Sequence, residues 1–218
     1  QPVIRAFDRE THVAEKELNY IKASTNPLVI GMDFGLTPAC TISQVDPQGR
    51  FLTYADLVSE GMGTLRFVRE KLKPLLANKF PGMPCLIIGD PAGTQRAQTD
   101  ERSVFDILKQ EGFRVIPARS NSVVARLSAV DALLTRMVDG KTTMLIDPSC
   151  RNIINALRGG YRYKIRNNGE TDDKPEKNQY SHVADAFQYA CLHADGNLTG
   201  DVLSKKAKKV EKHTFVWD

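Results

Sequence analysis

The sequence predicts an α/β protein in which helices cover a mixed sheet. Three strand-like runs come first, and the segment "DPQG" between the second and third carries Pro at a favoured turn position and a closing Gly. The three runs are therefore expected to form an antiparallel meander. Helix-like and strand-like segments then alternate, which favours further strands joining the same sheet beneath covering helices. The three runs are "PLVIGMDFG", "ACTISQVD" and "RFLTYADLV".

Apolar periodicity defines the alternating part of the chain. From Thr64 to Ala77, leucine and valine recur at three- and four-residue steps, which predicts a helix that Pro74 bends or shortens. The same spacing predicts a second long helix from Ser122 to Val138. The other expected elements are a short helix from Ser103 to Gln110, strands at "PCLIIGD", "FRVIPA" and "TTMLID", and a helix that begins at Pro148.

The alternation ends after Arg158 with a basic hairpin. "YRYKIR" alternates in a two-residue period, an Asn-Gly turn signal follows, and a polar return limb completes the pattern of an extra β-hairpin. The last helix is "SHVADAFQYACLHA". The boundaries of these predicted elements divide the chain into a lead-in or linker segment at 1–26, one domain at 27–195 and a polar, lysine-bearing tail at 196–218.

Composition excludes several classes of protein. No apolar run approaches the roughly 18 residues of a membrane span, which predicts that no membrane is involved. The four cysteines have no zinc spacing, and we expect them to be reduced in a cytosolic protein. The net charge of +4 is only mildly basic. Basic residues are concentrated in "RGGYRYKIR" and "SKKAKKVEKH", patches that suit phosphates or simply form a solvated surface.

Three aspartates occupy positions where the pattern requires an apolar residue. Asp33 ends the first strand, Asp90 ends "CLIIGD", and Asp185 lies in a helix otherwise made of small and aromatic residues. If the first and fourth strands are neighbours, the two strand-end carboxylates lie side by side. The small residues Ala184 and Ala186 allow the last helix to approach the sheet, and Asp185 would then complete a triad.

Such a triad requires positive charge. At an effective dielectric of ~20, two charges 4 Å apart repel by about 4 kcal/mol. Oxygen-only ligation suits Mg²⁺ or Mn²⁺, which also bind substrate phosphates. A pair of such ions can activate a water and stabilise the leaving oxygen of a phosphodiester. We therefore expect Asp33 to be compensated by a divalent metal.

Each candidate residue also has an ordinary structural interpretation. Asp33 can be a strand-terminal turn residue, and Asp90, before Pro91, can cap a turn. Asp147 in "LIDPS" resembles Asp90, but the helical pattern that follows predicts a helix N-cap. His182 lies three residues before Asp185 on the same helix face, where a supporting role at the metal site and a purely structural role are both possible.

Together these segments resemble a known family. "VIGMDFG", "LIIGDPAG" and "SHVADAFQYA", in this order and with a hairpin before the last helix, resemble the nuclease domain of large terminase subunits from tailed bacteriophages. The resemblance runs from about Pro27 to Ala194 and implies a ribonuclease H-like fold. It further implies endonuclease activity on double-stranded, concatemeric DNA when packaging of the viral genome begins and ends in the host cytoplasm.

The resemblance also assigns residues and partners. It implies that Asp33, Asp90 and Asp185 hold Mg²⁺ or Mn²⁺, with two ions expected. The basic residues expected to lie near DNA are Arg126, Arg162, Lys164, Arg166, Lys174 and Lys177. Residues 162, 164 and 166 alternate, which would place them on one face of the hairpin, as phosphate contacts need. No P-loop motif occurs in the chain, so the N-terminal packaging ATPase of such a subunit, the small terminase subunit and the portal are expected partners.

Other classes of protein stay open at this point. "GMDFGLT" also resembles the phosphate-binding hairpin of actin-like and sugar-kinase-like ATPases, although no second such motif follows. A resolvase or transposase-type nuclease would use the same carboxylates on a different DNA structure. A non-catalytic DNA-binding module would show no metal-dependent stability.

Overall fold

The structure is a computed structural model that describes residues 1–22, 25–94, 102–165 and 169–211, with only the backbone described for residues 173 and 198–211. The strands are β1 (Leu28–Asp33), β2 (Ala39–Val45), β3 (Phe51–Val58), β4 (Cys85–Gly89), β5 (Arg114–Pro117), β6 (Met137–Val138), β7 (Lys141–Thr142), β8 (Met144–Ile146), β9 (Tyr163–Ile165) and β10 (Thr171–Pro175). The α-helices are α1 (Arg9–His12), α2 (Thr64–Phe67), α3 (Lys73–Lys79), α4 (Val104–Gln110), α5 (Val123–Thr135), α6 (Arg151–Asn155) and α7 (Ser181–Glu211).

A six-stranded sheet forms the centre of the fold, in the order β5-β4-β1-β2-β3-β8. β1, β2 and β3 form an antiparallel meander, as the sequence predicts. β4 pairs in parallel with β1, β5 with β4, and β8 with β3. The sheet is therefore mixed, and the α/β fold class is confirmed.

Each face of the sheet is covered by its own set of helices. Leu28, Ile30 and Met32 of β1 belong to a buried cluster that includes Phe67 of α2 and Leu108 of α4. The alternate residues of β1 face the opposite side, because successive side chains of a strand point to opposite faces. There Val29 packs in a second cluster with α5, α6 and α7. Asp33 has the same parity as Val29, so its side chain faces α7.

The helix predicted at Thr64–Ala77 extends to Lys79 with a widened turn. α2 passes into a π-helical turn at Val68–Leu72 and then into α3, which has Pro74 in its first turn. Proline has no backbone N–H to donate, and a wider turn relieves the clash of its ring with the preceding carbonyl. Pro74 therefore distorts the helix without ending it.

Other helix limits differ from the predictions. The helix predicted to reach Val138 ends at Thr135, because the Asp139–Gly140 turn has positive φ at both residues and joins β6 to β7 as a small hairpin. The predicted helix at Pro148 begins only at Arg151. The last helix continues beyond its apolar part to Glu211 and spans 31 residues, so it runs through most of the predicted tail.

The predicted lead-in segment packs against the sheet. Ile4 is buried in the core, Pro2 forms a β-bridge with Arg162, and Val13 forms one with Ile146. The backbone of Ile21 exchanges hydrogen bonds with the side chain of Gln44 on β2. These contacts join residues 1–22 to the domain, and the boundary near residue 26 stays a prediction.

The four cysteines are free thiols, and Cys40, Cys150 and Cys191 are buried. Burial raises the pKa of each of these three thiols, which keeps them protonated at neutral pH. In the described part of the chain, no helix is both long enough and apolar enough to span a membrane.

Candidate active site

The register of the sheet brings the two strand-end carboxylates to one edge. Met32 of β1 lies opposite Gly89 of β4 in a parallel pair. Asp33 and Asp90 are the next residues, so they lie at the same level on strands about 4.8 Å apart. The first and fourth strands are therefore neighbours, which is the condition that the sequence argument set for the two carboxylates to lie side by side.

Gly31 allows α7 to cross β1 at close range. A Cβ atom on Gly31 would lie 2.0 Å from the carbonyl oxygen of Ala186 and 2.9 Å from the Cβ of Ala190. The helix backbone therefore rests directly on the strand. This crossing places the first turns of α7, with His182 and Asp185, over the strand ends.

The two glycines around Asp90 make room for one aromatic ring. A Cβ on Gly89 would lie 2.2 Å from the ring of Phe34, and one on Gly93 would lie 2.7 Å from it. Phe34 also packs edge-on against Phe105, with ring centroids 5.7 Å apart. The glycines of "IIGDPAG" thus fix the loop after β4 against the loop after β1.

His182 is the contact partner of Asp33. Its Nδ1 lies 2.8 Å from Oδ2 of Asp33, whose side chain is 16% exposed. Burial raises the pKa of the Asp33 carboxyl, and the nearby charge of Asp185 raises it further, whereas the His182 contact lowers it. Asp33 and Asp185 therefore interact electrostatically, as members of one acidic site should.

Asp185 is held by two cations. Its Oδ1 accepts a hydrogen bond from Nη1 of Arg126 at 3.1 Å, and its Oδ2 accepts one from Nζ of Lys177 at 3.0 Å. Arg126 and Asp185 are both buried, whereas the Lys177 side chain is 77% exposed. The buried pair fixes the carboxylate, and Lys177 covers it from the solvent side.

Two hydrogen bonds and a cation–π contact connect Asp90 to the pair formed by Arg126 and Asp185. Asn121 donates to Oδ1 of Asp90 at 3.2 Å and accepts from the hydroxyl of Tyr189 at 3.0 Å. The guanidinium of Arg126 lies 4.8 Å from the centre of the Tyr189 ring. Burial raises the pKa of Tyr189, so its hydroxyl stays a donor, and all three aspartates contribute to that shift. Tyr189 therefore links the partner of Asp90 to the partner of Asp185.

Sequence reasoning missed Asn121 and Tyr189. Tyr189 lies four residues after Asp185, on the same helix face, and this spacing is a signal that could have identified it. Asn121 precedes Ser122, the N-cap of α5, and no sequence pattern connects it to Asp90. Asp90 also accepts from the backbone N–H of Ala92 at 2.8 Å, so the predicted turn-capping role is present as well.

The donor set suits a hard divalent cation. Three carboxylates supply only oxygen ligands, and Arg126 and Lys177 beside Asp185 show that this edge attracts positive charge. Among the described residues, no three His, Cys, Asp or Glu side chains are already arranged as ligands around one point. An ion bound to Oδ2 of Asp185 would have to displace the exposed Lys177.

The basic residues of the hairpin lie beside this edge. β9 and β10 form the predicted antiparallel hairpin. Arg162 is exposed and pairs with Glu176 at 3.0 Å, and Lys164 is exposed on β9. Lys174 lies on the return limb, whereas Arg166 lies outside the described residues. Arg126, predicted to lie near DNA, is buried against Asp185 instead of facing the surface.

Asp147 is not a helix N-cap. α6 begins at Arg151, and the capping carboxylate is that of Asp56 on β3, which accepts hydrogen bonds from Asn152 and from the backbone of Ile153. Asp147 is fully buried and accepts from the backbone N–H groups of Leu18 and Ser149. It therefore anchors the lead-in segment to the end of β8.

No protein-family model and no curated protein match the chain, but solved structures do. The large terminase of a thermophilic bacteriophage superposes with a TM-score of 0.60 at 20% identity, over 84% of this chain and 43% of that one. The P22 large terminase nuclease domain gives 0.58 at 15% identity, over 88% and 93%. The nuclease domain of the large terminase g2p from the bacteriophage SPP1, solved with bound Mn, gives 0.51 at 21% identity, over 82% and 94%.

These superpositions define the fold. The chain is an α/β domain with the fold of the nuclease domains of large terminases, as the sequence resemblance implied. It spans less than half of the large terminase from the thermophilic phage but nearly all of the P22 and SPP1 domains.

Proposed function

We propose that this chain is the metal-dependent endonuclease domain of the large terminase subunit of a tailed bacteriophage. It would cut double-stranded, concatemeric DNA when packaging begins and when it ends. What supports the proposal is that Asp33 and Asp90 lie at the same level at the ends of neighbouring strands, and that α7, which carries Asp185, crosses β1 beside them in a sheet with the terminase nuclease fold.

Asp33, Asp90 and Asp185 would hold Mg²⁺ or Mn²⁺, with two ions in the complete centre. When bound, such ions supply a water nucleophile and neutralise charge on the phosphodiester. The chain's own residues orient the ligands: His182 contacts Asp33, Asn121 contacts Asp90, and Arg126 contacts Asp185. The contact of His182 with Asp33 supports the first of the two roles that the sequence left open for it, a supporting role at the metal site.

Exposed basic residues would bind the DNA backbone. Arg162 and Lys164 are exposed on the first limb of the hairpin. On its return limb, Lys174 and Lys177 line the cavity beside Asp185, and Lys177 contacts it. Such contacts are independent of base sequence. We include Arg166 with them on its sequence position alone. We assign Arg126 to the positioning of Asp185, because its guanidinium is buried.

The whole-protein setting belongs to the same proposal. The partners would be an N-terminal packaging ATPase in the full-length subunit, the small terminase subunit and the portal, in the cytoplasm of the host bacterium during virion assembly. The likeness to the large terminase of the thermophilic phage, of which this chain matches 43%, supports the first of these.

The direct test is incubation of the purified chain with supercoiled plasmid in Mg²⁺, Mn²⁺ or EDTA. We expect nicked and linear DNA with either metal and intact plasmid in EDTA. Asp90→Asn should remove cleavage, and Asp131→Asn, an exposed carboxylate on α5, is the matched control that should keep it. Undiminished cleavage in EDTA would refute the proposal, and ATP hydrolysis without DNA cleavage would favour the ATPase alternative. A strong preference for four-way junctions over plasmid would favour the resolvase alternative.

A further inference from the structure

A cavity of about 410 Å³ opens beside Asp185, between α5, the hairpin and α7. We call it the hairpin pocket. Its volume lies in the lower part of the range of small-molecule sites, about 300–1,000 Å³. It is too small for a DNA duplex and large enough for a single nucleotide. Its lining residues are Val123, Arg126, Tyr161, Lys174, Pro175, Glu176, Lys177 and Asp185.

The walls of the hairpin pocket combine two kinds of chemistry. Val123, Tyr161 and Pro175 supply apolar surface, and burial raises the pKa of Tyr161 to about 12, so its hydroxyl is neutral at physiological pH. The charged wall contains more cations than anions. Among the described residues, Lys174 has no ion-pair partner, whereas Glu176 is paired with Arg162.

Arg126 adds positive charge at the inner wall. Its side chain is 6% exposed, and its Nη1 donates to Oδ1 of Asp185. Its Nε has no hydrogen-bond partner among the described residues, but that atom is itself buried. An apolar wall, an exposed lysine without an ion pair and a guanidinium charge together suit a molecule with a flat apolar part and an anionic part.

We propose that the hairpin pocket binds one nucleotide of the DNA strand that is being cut. The base would lie against Val123, Tyr161 and Pro175, and its phosphate would contact Lys174. The pocket shares Asp185 with the proposed metal site, so this nucleotide would directly adjoin the scissile phosphate. The inference rests on the proposed nuclease function and adds to it that one nucleotide must leave the helical stack for cleavage.

Calorimetric titration with thymidine 5′-monophosphate, thymidine and inorganic phosphate, all in EDTA, tests the proposal without reference to cleavage. We expect the nucleotide to bind about tenfold more tightly than either fragment, because only the nucleotide uses both walls. Binding of the nucleotide no tighter than that of inorganic phosphate would overturn the proposal.

Two neighbouring valines provide a matched pair of variants. Val123→Phe fills the pocket and should abolish nucleotide binding, whereas Val124→Phe, at a position 75% exposed and outside the lining, should leave it unchanged. Equal binding by the two variants would refute the proposal. Lys174→Ala should weaken binding of the nucleotide but not of thymidine, with Lys141→Ala on β7 as the control that changes neither.

The binding and cleavage experiments can fail independently, so they test the hairpin pocket and the proposed nuclease function separately. Nucleotide binding in EDTA, abolished in Val123→Phe, from a chain that cuts no DNA with any metal would support the pocket and refute the nuclease. Metal-dependent cleavage with equal KM in Val123→Phe and Val124→Phe would support the nuclease and refute the pocket.

Discussion

Nη1 of Arg126 lies 3.1 Å from Oδ1 of Asp185, and both side chains are buried although 59 residues separate them. A buried pair of this kind is costly to break from one side, because the remaining charge loses its partner. Asp33 differs, since burial and the charge of Asp185 raise its pKa above the ordinary value. The two carboxylates therefore make opposite contributions to stability in the absence of metal.

The first prediction is a difference in stability between two isosteric variants in EDTA. Asp185→Asn should lose about 3–5 kcal/mol of unfolding free energy, because it leaves the Arg126 charge buried without its partner. Asp33→Asn should be at least as stable as the parent, because the amide oxygen can still face His182 and a disfavoured charge is removed. Urea unfolding measures both. If Asp185→Asn were the more stable variant, the assigned ion pair would be wrong.

The second prediction concerns pH. The folded-state pKa of Asp33 is raised above 3.8, so the stability linked to this group is fully present below the unfolded pKa. It is lost as the pH rises through the folded pKa. The stability advantage of Asp33→Asn should therefore be absent near about pH 3.5, below the pKa of an ordinary carboxyl group, and should grow towards neutrality. Unfolding of parent and variant across this range tests it, and a constant difference would contradict it.

The third prediction is that Lys177 competes with metal. Its Nζ contacts Oδ2 of Asp185, so Lys177→Ala should bind Mn²⁺ more tightly, by up to about fivefold as expected for a largely exposed pair. Lys174→Ala removes the same charge from the same wall without a contact to Asp185, and it should change affinity less. Calorimetry with Mn²⁺ measures the difference. Equal effects of the two variants would show that the direct contact is unimportant.

The fourth prediction tests the packing of α7 on β1. Gly31→Ala places a methyl group 2.0 Å from the Ala186 carbonyl and must displace the helix. We expect a decrease of about 1–3 kcal/mol or more in unfolding free energy, together with loss of most cleavage. Gly63→Ala is the control, because a Cβ there meets nothing within 4 Å and its φ is −70°. A neutral Gly31→Ala variant would mean that α7 does not rest on the strand as described.

The fifth prediction concerns the hairpin. Replacing Arg162 and Lys164 with Gln should weaken binding to any DNA sequence. It should also reduce the slope of log K against log salt by up to about 0.9 for each phosphate that the variant no longer neutralises. Adding Arg166→Gln should reduce it further. The control replaces Lys71 and Lys141, both exposed and outside the hairpin. DNA binding with an unchanged salt slope would assign the hairpin to another partner.

The sequence was sufficient to predict the sheet and the positions of Asp33 and Asp90 at strand ends, because buried strands are short apolar runs and a carboxylate at their end is conspicuous. The local sequence pattern could not predict which cationic side chains contact the carboxylates of the site. Arg126 and Lys177 reach Asp185 through tertiary packing. The prediction for Asp147 failed for a related reason: "LIDPS" and "IIGDPAG" look alike, and only the contact with Leu18, 129 residues away, distinguishes their roles.

Helix limits were the least predictable part of the fold. The end of α5 depends on an Asp139–Gly140 turn inside an otherwise helical pattern. The length of α7 has the opposite cause, since its second half lacks the apolar stripe from which a helix is recognised. Periodicity detects helices that have an apolar stripe and misses helical turns that lack one.

The crossing of α7 over Gly31 also sets an order of events during protein synthesis. Chains emerge N-terminal end first, so Asp33 and Asp90 leave the ribosome well before the segment that carries Asp185. Until that last helix docks on β1, the nascent chain contains two strand-end carboxylates and lacks the third ligand of the proposed centre. A chain truncated or stalled before Ser181 would therefore lack that ligand, so that the proposed nuclease activity would require translation past the start of α7.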